Sequence, residues 1–359
     1  MPPSKCATRG SSGNRAGVVS VQESCQCRSR VSAGVFPVSR CLTLPVDDLI
    51  SRANMSWGTL GTVRPFPNFH PERDAVELQA ALEKKDTVTL VRILTNRSNA
   101  QRQVLAKTFE DITQKDLEGA VKKAVTGDLA ALLLSLLMPP QEHDAYRFQQ
   151  AMAGLGTDEE TLIEILSMRS RKQLDDISAA YTFLYKKDLE KELRGETSGD
   201  FAKLVVALLH KECVTGSVQR DMETLLIAVN SKKADGKPWI DMLTSRDPEH
   251  LKKVLAELEV ECGQNVDHIF EKRFSGDFRL GLKVLAQCIQ SPYAYLAKRL
   301  TNTKSSVLQG IMVSHSEEDL LCIRVAYLKL TGASLYTSLQ KQFKGDHLQA
   351  LLAVCRSED

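Results

Sequence analysis

The chain has 359 residues, of which 43% are hydrophobic and 26% are charged. This composition is ordinary for a globular protein, and a chain of this length can bury a large core without disulfides. Its longest nearly unbroken apolar stretch, 129–138, is far shorter than the roughly 20 residues that cross a bilayer, which argues against an integral membrane protein. The first thirty residues lack the apolar core of a signal peptide, so we expect a cytoplasmic protein with reduced cysteines.

The formal net charge of +2 divides unevenly along the chain. Residues 1–56 contain seven Lys and Arg against three acids, which gives +4 and leaves residues 57–359 at −2. A nearly neutral body lacks the clustered basic side chains that bind phosphate backbones, so we predict no nucleic-acid partner.

Residues 1–56 are rich in Ser, Arg, Gly and Val and show no sustained apolar period, which predicts a flexible, disordered basic tail. Cys25 and Cys27 are spaced like a metal-binding pair, but no histidine occurs before His70, and the spacing is not that of a zinc module. We therefore interpret them as free thiols.

Four similar segments follow residue 57. In each, a helical stretch ends at a corner residue, and a Gly-Asp pair begins 30 residues later (97 to 127, 169 to 199, 246 to 276, 315 to 345). The corner residues are Arg97, Arg169, Arg246 and His315. Successive glycines are 72, 77 and 69 residues apart, so the unit has about seventy residues. We predict four repeats, at 57–140, 141–213, 214–289 and 290–359.

The apolar spacing inside a repeat is helical. In the second copy, a buried stripe is predicted at Leu162, Ile163, Ile165 and Leu166, and strand-like alternation is not sustained anywhere in the chain. The fold class is therefore predicted as all-α, with about five short helices in each repeat. Thr157 followed by Glu160 predicts a capping box at the start of the helix that carries the stripe.

Two kinds of side chain have both a structural and a membrane interpretation. An arginine that recurs at the corner of three repeats could bind lipid head groups, but we favour a structural ion pair or a helix cap. Trp57 and Trp239 could lie at a membrane interface, where aromatic residues are common, or in the protein interior.

The segment MAGLGTDEE in the second copy differs from its counterparts. Gly154 and Gly156 permit positive φ, so the carbonyls of Met152, Gly154 and Gly156 can converge on one point. Calcium binds 6–8 oxygen ligands, and Glu196, separated from Thr157 by 38 residues, can add a carboxylate. A glycine pair at a helix junction is more often only a tight turn, and an isolated acid is more often only solvated.

The combination of Gly-x-Gly-Thr, 38 intervening residues and an acid, within four helical repeats, resembles the calcium-site signature of the annexin family. The segments LTNRSNAQRQ, GLGTDEETLIEIL and WGTLGTVRPFPNF are also similar to annexin sequences, and within the family they look most similar to the type-two branch. The resemblance covers residues 57–359. It implies a slightly curved disc of four five-helix repeats that binds acidic phospholipids such as phosphatidylserine through Ca²⁺. We predict no enzymatic activity, because no nucleophile elbow, phosphate-binding loop or His-x-x-x-His pair occurs in the sequence.

The resemblance also implies how the tail could act. In related annexins a helix in the tail binds an S100-type dimer, and Val46, Leu49 and Ile50 would share one face of a short helix here. Pro45 and two adjacent aspartates favour a frayed linker instead. An S100-type partner is therefore the weaker alternative for this segment.

The other three copies depart from the signature. The acid position is occupied by Ala124 in the first copy, by Arg273 in the third and by Gln342 in the fourth. The third loop has Lys233 and Ala234 near the Gly-Thr position, so replacing Arg273 alone is not expected to create a site. We predict one calcium site, formed by Met152, Gly154, Gly156 and Glu196, and peripheral membrane binding when calcium rises. A protein-interaction scaffold with little calcium-dependent binding is the alternative.

Overall fold

The structure, a computed structural model, describes residues 60–356 except residues 155 and 302. Throughout that part of the chain the regular secondary structure is helical, with twenty α-helices and no β-strand. The all-α prediction is confirmed. None of the described helices is long and apolar enough to span a membrane. The predicted tail, Trp57, the cysteine pair and the possible tail helix lie outside the described residues.

The helices form four groups of five, which confirms four five-helix repeats. In repeat 1 they are α1 Pro71–Lys84, α2 Thr87–Thr95, α3 Asn99–Thr113, α4 Leu117–Ala124 and α5 Gly127–Leu137. In repeat 2 they are α6 Pro140–Met152, α7 Glu159–Met168, α8 Arg171–Tyr185, α9 Leu189–Glu196 and α10 Gly199–Leu209. In repeat 3 they are α11 Val218–Asn230, α12 Lys237–Ser245, α13 Pro248–Cys262, α14 Val266–Arg273 and α15 Gly276–Gln290. In repeat 4 they are α16 Pro292–Arg299, α17 Ser305–His315, α18 Leu320–Thr331, α19 Leu335–Gln342 and α20 Gly345–Cys355. The predicted limits of the repeats stay predictions.

The glycine of each Gly-Asp pair begins the fifth helix of its repeat with a positive φ. The four values are +68 at Gly127, +61 at Gly199, +60 at Gly276 and +65 at Gly345. A Cβ at these positions would meet no atom within 4 Å, so backbone conformation and not space explains the glycine. The recurring motif therefore marks the turn into the fifth helix.

The second and fifth helices hold the repeats together in pairs. Helix α2 packs on α20 and α5 on α17, which joins repeats 1 and 4. In the same way, α7 packs on α15 and α10 packs on α12, which joins repeats 2 and 3. Two reciprocal hydrogen bonds support the first pair: Thr87 donates to Asp346 at 2.6 Å and Ser305 donates to Asp128 at 2.9 Å. The predicted stripe of α7, from Leu162 to Leu166, is buried in this packing.

The corner arginines form ion pairs with an aspartate on the first helix of their own repeat. The distance from the arginine Nε to the aspartate carboxylate is 2.6 Å for Arg97 and Asp74, 2.6 Å for Arg169 and Asp144, and 2.7 Å for Arg246 and Asp221. The structural interpretation of the arginines is confirmed. In repeat 4 the corner His315 instead lies 2.7 Å from Asp319, one turn further along the chain.

Trp239 is completely buried on α12. Its ring meets Phe270 edge-on, with 4.8 Å between the ring centroids. A side chain in this position packs the core of repeat 3, so the interior alternative is correct for Trp239. The membrane-interface alternative is excluded for it.

Candidate calcium sites

The predicted calcium loop of repeat 2 consists of residues 153–158, between α6 and α7. Gly154 has a φ of +103° and Gly156 a φ of +91°, and a Cβ at either position would meet nothing within 4 Å. Both glycines are therefore required by the backbone conformation, as the sequence predicts. Met152 is the last residue of α6 and its side chain is buried, so its backbone carbonyl is the only group it can offer a cation.

Two hydrogen bonds fix the end of this loop. The Asp158 backbone N–H donates to the carbonyl of Ala151 at 2.8 Å, which closes the loop onto the end of α6. The Asp158 carboxylate accepts a bond from the Thr161 N–H at 3.0 Å and caps α7. The predicted capping box of Thr157 and Glu160 is wrong, because the helix begins one residue later than that motif requires and Asp158 is the N-cap.

Thr157 has a different role, since it joins the loop to the end of α9. Its hydroxyl donates to the backbone carbonyl of Glu196 at 3.3 Å. Glu196 is exposed, and within the described part of the chain its carboxylate has no salt bridge or hydrogen bond. The fold therefore brings the predicted acid next to the glycine loop with its carboxylate available. The ligand roles of the four predicted residues stay a prediction.

Two other acids of the segment, Asp158 and Glu160, are already paired. Arg299, from repeat 4, lies 2.7 Å from Glu160 and 3.2 Å from Asp158, and it also donates to the Thr161 hydroxyl at 2.9 Å. Burial opposes the charge of Arg299, but its acidic neighbours raise its pKa. Asp158 and Glu160 thus hold repeat 4 against repeat 2 and are not available to a cation, whereas the Glu196 carboxylate is.

The corresponding loops of repeats 1 and 4 lack the parts of such a site. In repeat 1 only residues 85 and 86 separate α1 from α2, and the acid position is occupied by Ala124. In repeat 4 residues 300–304 form the connection and Gln342, which is exposed, stands at the acid position. Neither position offers a carboxylate for calcium.

In repeat 3 the residue at the acid position is bonded to the loop itself. Arg273 donates from Nη1 to the carbonyl of Val229 at 2.8 Å, and from Nη2 to the carbonyls of Ser231 and Lys233 at 3.0 and 3.1 Å. All residues of 229–236 are described and none has a positive φ. Three carbonyls of this loop therefore converge on one side chain without a positive φ.

One further group of possible metal ligands occurs in the described residues. One oxygen or nitrogen atom from each of His315, Glu318 and Asp319 lies within 4.8 Å of the others. His315 and Asp319 are bonded to each other at the corner of repeat 4, where the other repeats have an Arg–Asp pair. We interpret the group as the local replacement for that pair. The signal for this group in the sequence is the spacing His-x-x-Glu-Asp, which places the three side chains within one turn.

Comparison with known proteins places this chain in one family. A sequence model described as Annexin matches residues 73–136, 143–208 and 295–354. Annexin A9 of Bos taurus is 34% identical over 324 residues, which cover 86% of this chain and 94% of that protein. The solved structure of annexin III is 34% identical with a TM-score of 0.80, and the match covers 84% of this chain and 99% of that one. A chicken annexin V structure, also 34% identical, has a TM-score of 0.76, over 84% of this chain and 100% of that one.

The three matched segments fall in repeats 1, 2 and 4, and repeat 3 has the same five helices between them. The resemblance found in the sequence is thereby confirmed at the level of the family, whereas the type-two branch stays a prediction. The similarity extends over most of this chain and nearly all of the relatives, in sequence and in fold. This protein belongs to the annexin family.

Proposed function

We propose that this protein binds acidic phospholipid membranes through a single calcium site in repeat 2. Calcium would be held by the carbonyls of Met152, Gly154 and Gly156 and by the carboxylate of Glu196. The observation that carries the proposal is the bond from Thr157 to the Glu196 carbonyl, because it holds an unpaired carboxylate beside the glycine loop. Calcium-dependent phospholipid binding is also the general activity of the annexin family.

The number of ligands explains why lipid and calcium would bind together. Three carbonyls and one bidentate carboxylate provide five oxygens, whereas calcium takes 6–8. Bound there, the ion would supply a positive charge with coordination positions open to phosphate or carboxylate oxygens of a lipid. One charged ligand among neutral carbonyls gives a weak site, with a dissociation constant of roughly 10⁻⁴–10⁻³ M without a membrane.

The location and the partners follow from this site. We infer a non-enzymatic, cytoplasmic protein that is peripheral on membranes when calcium rises, with phosphatidylserine as a representative ligand. No nucleic-acid partner is proposed, because residues 57–359 carry a net charge of −2. An S100-type partner would have to bind the tail, which lies outside the described residues.

A protein-interaction scaffold is the second candidate, and the other three loops favour it. Simultaneous binding at several sites multiplies membrane affinity, and a chain with one site lacks that gain. Ala124 and Gln342 provide no carboxylate, and Arg273 already occupies its loop. If the loop of repeat 2 binds calcium too weakly to recruit lipid, the repeats would serve only to present protein surfaces.

Co-sedimentation with phosphatidylserine vesicles, with calcium and with a chelator, tests the proposal. The variant Glu196→Gln should abolish the calcium-dependent part of binding, because it keeps the side-chain shape but removes the charged ligand. The matched control is Glu212→Gln, which makes the same change at an exposed residue of the same predicted repeat. Equal binding of Glu196→Gln and wild type at every calcium concentration would show that the site is wrongly assigned. Absence of calcium-dependent binding in the wild type would favour the scaffold.

A further inference from the structure

Repeats 2 and 3 can be compared residue by residue. Their corner arginines differ by 77 in number (246 − 169), and so do their Gly-Asp glycines (276 − 199). The same offset relates Arg273 to Glu196. The predicted calcium ligands of repeat 2 correspond to residues of the third loop in this way: Met152 to Val229, Gly154 to Ser231 and Gly156 to Lys233.

The guanidinium of Arg273 is bonded to the counterparts of all three predicted calcium-binding carbonyls. These are the carbonyls of Val229, Ser231 and Lys233, and the Ser231 hydroxyl is a fourth acceptor at 3.0 Å. The guanidinium is a planar cation with five N–H donors, so it can satisfy several carbonyl oxygens at once. Arg273 thus fills, with a permanent positive charge, the position that a calcium ion would take in repeat 2.

The third loop is held together without a metal. The Ser231 hydroxyl donates to the carbonyl of Lys233 at 2.7 Å, and the backbone N–H of Lys237 donates to the Asp235 carboxylate at 2.9 Å. These bonds act together with those of Arg273, which lies 44 residues further along the chain than Val229. The carbonyls of Val229, Ser231 and Lys233 are therefore already satisfied by donors of the chain itself.

The surface charge of this loop is opposite to that of the second loop. Lys232 and Lys233 are exposed, and within the described residues neither forms a salt bridge. Lys237 is paired with Asp241, and the one acid of the loop, Asp235, accepts the N–H described above. Glu196 places an unpaired carboxylate beside the second loop, whereas the third loop presents two unpaired lysines.

We propose that the third repeat binds anionic phospholipid head groups without calcium, with Arg273 as a built-in replacement for the ion and Lys232 and Lys233 as the lipid contacts. The inference rests on the proposed function only in taking a membrane as the target. A lipid surface is favoured over other anions because this loop is the structural counterpart of the loop that would bind lipid in repeat 2. A nearly neutral body offers no extended basic surface for a nucleic acid.

The test measures binding of the full chain to phosphatidylserine-containing vesicles in the presence of a calcium chelator. A basic residue close to an anionic surface contributes about 1 kcal/mol, so Lys232→Gln with Lys233→Gln should weaken this binding by roughly 10–30-fold at low salt. The matched control is Lys252→Gln with Lys253→Gln, which removes the same charge from exposed positions of α13. The control should bind nearly as the wild type does.

Arg273→Gln tests the role of the guanidinium separately. Without the cation, the three carbonyls lose their common donor, so amide hydrogen exchange in residues 231–236 should become faster, and chelator-resistant binding should fall. Wild-type exchange in the same segment should not respond to calcium alone. Unchanged exchange in Arg273→Gln would overturn the assignment of this residue.

Two results would overturn the lipid contact. One is equal loss of binding in the Lys232 and Lys233 variant and in the Lys252 and Lys253 control, because binding would then follow net charge only. The other is retention of full binding by both, which would assign the chelator-resistant component to another part of the chain. Glu196→Gln should keep this component, so the inference and the proposed calcium site fail or succeed independently.

Discussion

The guanidinium of Arg299 lies 2.7 Å from the carboxylate of Glu160, although the two residues are 139 positions apart in the chain. The same guanidinium contacts Asp158 and lies 3.6 Å from Glu164, so one arginine of repeat 4 lies among three acids of repeat 2. Glu164 is buried and also bonded to Arg147 at 2.6 Å. The start of α7, next to the predicted calcium loop, is therefore fixed by a charge network between repeats.

Arg299→Gln should destabilise the protein by about 2 kcal/mol, because it leaves partly buried acids without a partner. Urea denaturation measures the effect. The matched control is Arg171→Gln, which removes an exposed pair with Asp175 and should cost less than about 1 kcal/mol. Equal stability of the two variants would contradict a structural role for Arg299.

Asp144→Asn should be more destabilising still. Asp144 is buried against Arg169, and although its burial opposes ionisation, Arg169 and Arg147 lower its pKa to about 2. Removing one partner of a buried pair costs about 3–5 kcal/mol. Asp221→Asn breaks the equivalent pair in repeat 3, where Arg246 is more exposed, so its measured loss of unfolding free energy should be smaller.

The buried His143 should make the protein less stable at acid pH. Burial lowers its pKa from 6.5 to about 3, against the opposing effect of Asp144, and Arg147 and Arg169 lower it further. Because the folded-state pKa is depressed, the unfolded chain takes up a proton below pH 6.5 that the folded chain does not. Stability is therefore full above that pH and falls as the pH drops towards 3.

Between pH 7 and pH 5 this histidine should cost the wild type about 2 kcal/mol of unfolding free energy. His143→Gln should remove that part of the pH dependence, although it will also change the absolute stability. Denaturant midpoints at the two pH values give the comparison. An unchanged pH slope in the variant would show that other groups carry the effect.

Arg273→Glu should create a second, weak calcium site. The carbonyls of Val229, Ser231 and Lys233 already converge on the side chain of residue 273, although no residue of the loop has a positive φ. A glutamate at position 273 would supply the missing carboxylate. Calorimetric titration should give about one site for the wild type and about two for the variant. A stoichiometry that stays at one would support the expectation from the sequence, that the loop cannot bind without its glycines.

Local features of this protein were determined by the sequence alone. Helical periodicity, the spacing of 30 residues from each corner to its Gly-Asp pair and the glycines of the second loop predicted the four repeats and their single glycine-rich calcium loop. Such features depend on backbone conformation and on apolar patterns within short segments. The positive φ values of Gly154, Gly156 and the Gly-Asp glycines agree with that reasoning. One local prediction, the capping box of Thr157 and Glu160, was wrong, because Asp158 is the N-cap of α7.

The tertiary structure decided which charged and aromatic groups meet. The sequence indicated that the corner arginines are structural, but only the packing of helices identified their aspartates, up to 25 residues earlier in the chain. Likewise the sequence placed Arg273 at the acid position of the third copy, but it did not identify Arg273 as the donor that fills the loop. A long arginine side chain can reach several groups of acceptors, and the three-dimensional arrangement of helices determines which of them lie within reach.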